Sequence, residues 1–323
     1  MPTADIGELV EQARNGRPRA VARLISLVEN DAPQLRQVMA ALAPYTGNAH
    51  VIGLTGSPGV GKSTVTDALV SAFRRAGARV GVLAVDPTSP FTGGALLGDR
   101  VRMQDHATDP EVYIRSMATR GHLGGLAAAS MQAIRVLDAA GCAVVLVETV
   151  GVGQSEVQIA SEADTTVVLL APGMGDAIQT FKAGILEVGD VFCVNKADRD
   201  GADSTVRELN HMLSYGERRG PDDWRPQVVR TVAVKDDGVG ELVDAVHKHR
   251  DWLRRDGRLE QRRRARIADE IEAIALEQLR RSIAEVHGGE HLRALADRVA
   301  AGETDPYAAA DELVASVTGK DQS

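Results

Sequence analysis

Gly56-Ser57-Pro58-Gly59-Val60-Gly61-Lys62-Ser63 is the stretch on which the fold turns. It satisfies the pattern G-x-x-x-x-G-K-[ST] in full, and its setting matters as much as its letters. The apolar run His50–Leu54 precedes it and a helical stretch, Ser63–Arg75, follows. A strand, a glycine-rich turn and a helix in that order make a phosphate cradle. The glycines let successive backbone N–H groups turn inward, and the helix N-terminus adds positive potential. Lys62 is expected to reach the β- and γ-phosphates of a nucleotide and Ser63 to ligate Mg²⁺. Gly56, Ser57, Pro58, Gly59, Val60 and Gly61 are the expected backbone contacts, with Thr64 beside them in the first helical turn.

Working outward, short apolar runs alternate with helical stretches. The runs are His50–Leu54, Arg79–Val85, Val112–Ser116, Ala143–Val147, Thr165–Leu170, Val191–Val194 and Val228–Val234. Several are continuous rather than alternating, as parallel strands covered on both faces are. Ser63–Arg75, Leu126–Ala139, Ser204–Leu213 and Gly240–Leu253 are long enough to be the crossover helices. The expected class is therefore α/β, a doubly wound, mostly parallel sheet, over residues 47–256. Residues 1–46 carry apolar groups at helical spacing, such as Val21, Leu24, Ile25 and Val28, and form a helical N-terminal extension. Residues 257–323 form a helical C-terminal arm: Ile267, Ile271, Ile274 and Leu279 mark a stripe, and Asp305-Pro306 opens a last helix.

The base-reading residues lie at the end of the sixth run. Asn195-Lys196-Ala197-Asp198 has the form N-K-x-D. A carboxylate at Asp198 accepts the N1–H and amino hydrogens of guanine, whereas adenine would leave it unpaired, a loss on the order of a few kcal/mol. The expected nucleotides are GTP and GDP. Val232, Ala233 and Val234 form the second base contact, where the Ala233 N–H is expected to face the guanine carbonyl. Val232 stands where guanine-binding proteins usually hold Ser. Glu148 ends the most apolar strand and is expected to hold Mg²⁺ through water, with the Gly151 N–H meeting the γ-phosphate. Asp86 and Asp99 are the remaining acidic candidates for the metal.

Bulk properties exclude several classes. The net charge of −8 leaves no general basic face for nucleic acid. Arg262, Arg263, Arg264 and Arg266 are the local exception, and Glu260, Asp269, Glu270 and Glu272 at helical spacings are expected to pair with them along the same helix. The two cysteines, Cys142 and Cys193, sit in apolar runs and read as reduced core thiols. No apolar run approaches membrane-spanning length and no export signal opens the chain, so a cytoplasmic location is expected.

With Glu148-Thr149-Val150-Gly151-Val152-Gly153-Gln154-Ser155-Glu156 and Asp86-Pro87-Thr88-Ser89-Pro90 in view, the chain resembles the MeaB/ArgK-type P-loop GTPases over nearly its whole length. The resemblance implies a G-protein chaperone that gates cofactor loading into, and protects, an adenosylcobalamin-dependent mutase, methylmalonyl-CoA mutase first among them. It implies a homodimer built through the C-terminal arm. It also implies three switch segments: residues 86–99, residues 148–156, and residues 173–182 with Gln179 and Lys182. Val152 follows Gly151 where Ras-like GTPases hold a water-orienting Gln, so intrinsic hydrolysis is expected to be slow and open to stimulation by a partner. Gln154 is the candidate substitute. Two other readings stand beside this one. An ATP-dependent kinase linked to amino-acid transport is opposed by Asn195–Asp198, and a metal-inserting GTPase finds no His-rich tract among eight scattered histidines.

Overall fold

The structure is a computed structural model describing residues 5–87, 103–106, 108–119, 125–149, 162–173, 188–214, 220, 222–287 and 290–318. Seven strands form one sheet: β1 (His50–Thr55), β2 (Val80–Pro87), β3 (Val112–Thr119), β4 (Val144–Thr149), β5 (Thr165–Leu170), β6 (Val191–Asn195) and β7 (Gln227–Thr231). Their order is β3-β2-β4-β1-β5-β6-β7, and every neighbouring pair is parallel. The described helices are α1 (Ile6–Arg14), α2 (Pro18–Glu29), α3 (Leu35–Leu42), α4 (Lys62–Arg75), α5 (Gly125–Ala139), α6 (Ala202–Ser214), α7 (Val239–Arg254), α8 (Arg258–His287), α9 (Glu290–Ala300) and α10 (Pro306–Thr318). None is long and apolar enough to cross a membrane among the described residues.

The continuous apolar strands are explained by cover on both faces. Ile52 and Leu54 of β1 join Leu69 and Phe73 of α4 and Leu242 and Val246 of α7 in one core layer. Val51, Val145 and Val147 face the opposite way, into a layer with Leu137 of α5 and Leu24, Ile25 and Leu42 of the N-terminal helices. Val168, Leu170 and Phe192 pack with Leu209 of α6. The helical N-terminal extension therefore completes one face of the sheet. Capping defines its start: Asp5 Oδ1 accepts the Gly7 N–H at 2.9 Å, and Pro18 opens α2.

Two expectations are corrected. The run Val228–Val234 predicts a strand through Val234, but β7 ends at Thr231 and Ala233–Lys235 forms a 3₁₀ turn. The chain doubles back there: the Val232 N–H donates to the Asp237 carbonyl at 2.9 Å. Gly238 (φ +73°) lies so close to β7 that a Cβ would stand 2.0 Å from the Arg230 carbonyl oxygen. Only glycine permits that approach. The second correction concerns the arginines of α8, three of which pair beneath the sheet rather than along their own helix. Arg263 meets Asp164 at 2.6 Å, Arg266 bonds the same carboxylate, and Arg262 lies 3.4 Å from Asp190. Asp164 is fully buried just before β5, and it also accepts the Val51 N–H at 3.1 Å. A buried carboxylate needs a cation and donors, and α8 supplies the cations.

These ion pairs bear on where the chain divides. It forms two compact units, residues 1–266 and residues 267–323. The first turns of α8, with Arg262, Arg263 and Arg266, therefore belong to the unit that contains the sheet.

Burial would push the Asp164 carboxyl up, but the Arg263 hydrogen bond and the charges of Arg266 and Arg263 outweigh it and hold the group at about 2, below the ordinary 3.8. A depressed carboxyl stabilises the fold above its unfolded value, and that contribution is lost as pH falls from about 4 through about 2. Asp164→Asn leaves two guanidiniums without their charge partner and is expected to cost about 3 kcal/mol at neutral pH. Denaturant unfolding from pH 7 to pH 2 checks this. The variant should approach the wild type at the acid end, and equal stability at neutral pH would contradict the account.

Candidate functional site

The carboxyl end of β1 is the centre of the sheet, and the loop Gly56–Gly61 leaves it to start α4 at Lys62. Lys62 is buried and curls over its own loop. Its Nζ donates to the Gly56 carbonyl at 2.6 Å and lies 3.2 Å from the Ser57 carbonyl. The ammonium is thus held above the cradle by backbone oxygens, in place to meet an anion there. Thr64 is partly buried on the next position of the helix.

Glu148 sits beside this turn because β4 pairs with β1, placing Glu148 opposite Leu54. It is buried, and both its oxygens meet α4. The Ser63 hydroxyl donates to Oε1 at 2.8 Å, and Thr66 Oγ1 lies 2.9 Å from Oε2. Thr66 Oγ1 is also 3.0 Å from the Lys62 carbonyl. Sequence reading missed Thr66. Its only signal was position, three residues after Ser63 and so on the same helical face. The pair Ser63 and Glu148 fits a hard cation, since its donors are all oxygen and already adjacent. Among the described residues no group of three or more His, Cys, Asp or Glu side chains is placed to hold a metal. Mg²⁺ takes one or two protein oxygens and completes its shell with water and phosphate. Asp86 is the last residue but one of strand β2, paired with Ala118 of β3, but its side chain is outside the described residues. Asp99, Gly151, Gln154, Gln179 and Lys182 also fall outside them, as does most of the three expected switch segments.

The second half of the site is tied to the first by one side chain. Asn195 is buried at the end of β6. Its Nδ2 donates to the Val60 carbonyl of the phosphate loop at 2.9 Å. Its Oδ1 accepts the Thr231 hydroxyl at 3.1 Å and the Ala233 N–H at 3.2 Å. The loop is pressed against it: a Cβ on Gly61 would stand 2.5 Å from Asn195 Nδ2. Lys196 adopts φ +57° and reaches across to the Gly59 carbonyl at 2.5 Å. The Ala197 N–H then donates to the Thr231 carbonyl at 3.0 Å. Asp198 stands exposed beyond this frame, paired with Lys235 at 3.0 Å, and the Lys235 hydrogen bond lowers its carboxyl below the ordinary value. The acid is therefore ionised and able to accept. Ala233 is buried with its N–H already engaged by Asn195, while Val234 is exposed. Lys235 was not anticipated from sequence, because its partner lies 37 residues away.

The family model described as Methylmalonyl Co-A mutase-associated GTPase MeaB matches residues 21–287. A Pyrococcus abyssi protein described as a GTPase is 51% identical over 316 residues, 97% of each chain. The Caenorhabditis elegans protein named "Methylmalonic aciduria type A homolog, mitochondrial" is 35% identical over 277 residues, 80% of this chain and 69% of that one. Among solved structures, a LAO/AO transport system kinase superposes with a TM-score of 0.72 at 27% identity, covering 98% of this chain and 99% of that one.

Asn195→Ala removes three hydrogen bonds at once and strands the Val60 carbonyl and the Ala233 N–H, while the Thr231 hydroxyl keeps only Cys193 Sγ at 3.2 Å. The expected cost is about 3 kcal/mol of stability, with no nucleotide present. Denaturant unfolding of the nucleotide-free protein measures it. A loss under about 0.5 kcal/mol, the range of ordinary surface changes, would show that Asn195 does not hold the two loops together.

Proposed function

This chain belongs to the MeaB family of methylmalonyl-CoA mutase-associated GTPases, and on that premise we propose that it binds Mg-GTP, hydrolyses it to GDP and phosphate, and acts in the cytoplasm as a chaperone of an adenosylcobalamin-dependent acyl-CoA mutase. The observation that carries the nucleotide reading is the Asn195 network, which makes the phosphate cradle and the N-K-x-D loop one hydrogen-bonded unit.

In this reading the backbone N–H groups from Gly56 to Ser63 cradle the phosphates, Thr64 borders them, and Lys62 turns from the Gly56 carbonyl to the β- and γ-phosphates. Ser63 and Glu148 would hold Mg²⁺, Ser63 directly and Glu148 through water, in place of their mutual hydrogen bond. The metal supplies charge neutralisation on the phosphates. Asp86 and Asp99 are the further candidates near it. Asp198 reads the guanine N1–H and amino group while Lys235 keeps it ionised. The base carbonyl falls to the turn at Val232, Ala233 and Val234, where the Ala233 N–H must be shared with Asn195. Lys196 borders the base with its stem. The Gly151 N–H and Gln154 are assigned to the γ-phosphate and the attacking water. With Val152 where a water-orienting Gln would stand, the basal rate is slow and a partner raises it.

The client assignment is supported by the family description and by the relative named for methylmalonic aciduria. The role proposed is gating of cofactor loading and protection of the mutase, with methylmalonyl-CoA mutase the first candidate. A homodimer through the C-terminal arm is supported by Ile271, Leu279, Leu292 and Tyr307, large apolar side chains left exposed on α8, α9 and α10. A second reading, an ATP-dependent kinase, has one observation behind it, the name of the superposed structure. The Asn195–Asp198 loop weighs against it, because adenine offers Asp198 no donor at N1 or C2.

The test is single-turnover GTP hydrolysis with and without purified methylmalonyl-CoA mutase. The expected result is slow basal turnover, raised at least about tenfold by the mutase. A basal rate indifferent to saturating mutase would remove the client assignment. Sedimentation of the same sample reads the assembly, and a monomer at micromolar concentration would contradict the dimer.

A further inference from the structure

Glu148 meets two hydroxyls of α4, and the nucleotide reading uses only one of them. Ser63 is assigned to the metal. Thr66, one helical turn further on, has no task in that reading. It is fully buried, so its hydroxyl faces neither solvent nor the open side of the phosphate cradle. Whatever Thr66 does for the site, it does through the groups it touches, Glu148 and Lys62.

Thr66 Oγ1 has one hydrogen and two acceptors within reach, Glu148 Oε2 at 2.9 Å and the Lys62 carbonyl at 3.0 Å. The Lys62 carbonyl lies four residues earlier in α4, where a backbone N–H is its ordinary helical donor. The carboxylate is the stronger acceptor, because a hydrogen bond to an ionised group is about twice as strong as one between neutral groups. The hydroxyl hydrogen therefore goes to Glu148 Oε2.

Glu148 is thus placed from two directions. Its backbone is set by β4, which puts it opposite Leu54 of β1 and Ala84 of β2. Its two oxygens are divided between the hydroxyls: Ser63 donates to Oε1 at 2.8 Å and Thr66 to Oε2. Ser63 gives up its contact when its oxygen turns to a metal. Thr66 has no such second task, so it keeps Oε2 with and without a ligand. One oxygen of the carboxylate is tethered and the other is presented.

A carboxylate held in this way suits one cation better than another. Mg²⁺ demands near-ideal octahedral geometry and keeps several of its waters. Ca²⁺ takes roughly six to eight oxygens in flexible geometry and accepts both oxygens of one carboxylate. Glu148 can give both oxygens to an ion only by leaving Thr66. We propose that Thr66 is a positioning residue for metal choice: by tethering Glu148 Oε2 it keeps Oε1 on the Ser63 side and favours Mg²⁺ over Ca²⁺ in the nucleotide complex. This role rests on the Mg-GTP reading given above.

The full chain is titrated with a non-hydrolysable GTP analogue in EDTA, in saturating Mg²⁺ and in saturating Ca²⁺, and affinities are read by calorimetry. The quantity compared is the gain in affinity that each metal gives over EDTA, so a general loss of nucleotide binding cancels. In the wild type the gain from Mg²⁺ is expected to exceed that from Ca²⁺. Thr66→Val keeps the branched shape and lacks the hydrogen. It should cut the Mg²⁺ gain about tenfold, the worth of one charge-assisted hydrogen bond, and leave the Ca²⁺ gain within about twofold. Thr66→Ser retains the hydroxyl and should restore most of the Mg²⁺ gain. Thr66→Ala removes the same hydrogen and is read instead should Thr66→Val not fold. No metal-dependent gain in the wild type would contradict the Mg-GTP reading, and this role with it. A normal Mg²⁺ gain in the wild type that survives loss of the hydroxyl, or falls equally for Mg²⁺ and Ca²⁺, would overturn the role of Thr66 alone. Failure of Thr66→Ser to restore the gain would do the same, since the loss would then follow shape and not the hydrogen bond.

Discussion

A single buried carboxamide holds the two halves of the candidate site in register. Asn195 closes β6, and its side chain bonds the phosphate loop on one side and the turn after β7 on the other. A buried amide left without partners is costly, so the three contacts stand or fall together. The close approach of Gly61 follows from the same contact, since any side chain there would strike the amide. Lys196 adds a second crossing to Gly59. The distance between cradle and base-reading loop is therefore set by packing within the protein. The contacts that have to rearrange for a ligand are those of Asp198 with Lys235, of Lys62 with its backbone oxygens, of Ser63 with Glu148, and of the Ala233 N–H.

The opposite end of the sheet is organised by charge. Asp164 and Asp190 sit just before β5 and β6, and α8 brings Arg262, Arg263 and Arg266 to them. The start of α8 is thereby fixed to the sheet, and the compact unit extends to residue 266.

Much of this was legible in the sequence. Parallel strands covered on both faces need apolar residues at every position, so several of the seven appeared as short continuous runs, and β5 at its observed bounds. The phosphate loop and N-K-x-D were legible because each is contiguous. What escaped depends on contacts between distant segments. The end of β7 is set by the approach of Gly238 to Arg230, and the partners of the α8 arginines lie 72 to 102 residues away. Thr66 and Lys235 carry no motif of their own. Asp138 is similar: it accepts the Ala49 N–H at 2.9 Å and fixes the entry to β1, yet reads in sequence as an ordinary helix residue.

The central claim is that a preformed guanine site sits across Asn195. Its most direct test is calorimetric titration of the wild-type chain with GDP and with ADP in the presence of Mg²⁺. The account predicts GDP tighter by at least about a hundredfold, the worth of the two hydrogen bonds to Asp198 that adenine cannot make. Equal affinity for the two nucleotides would contradict it.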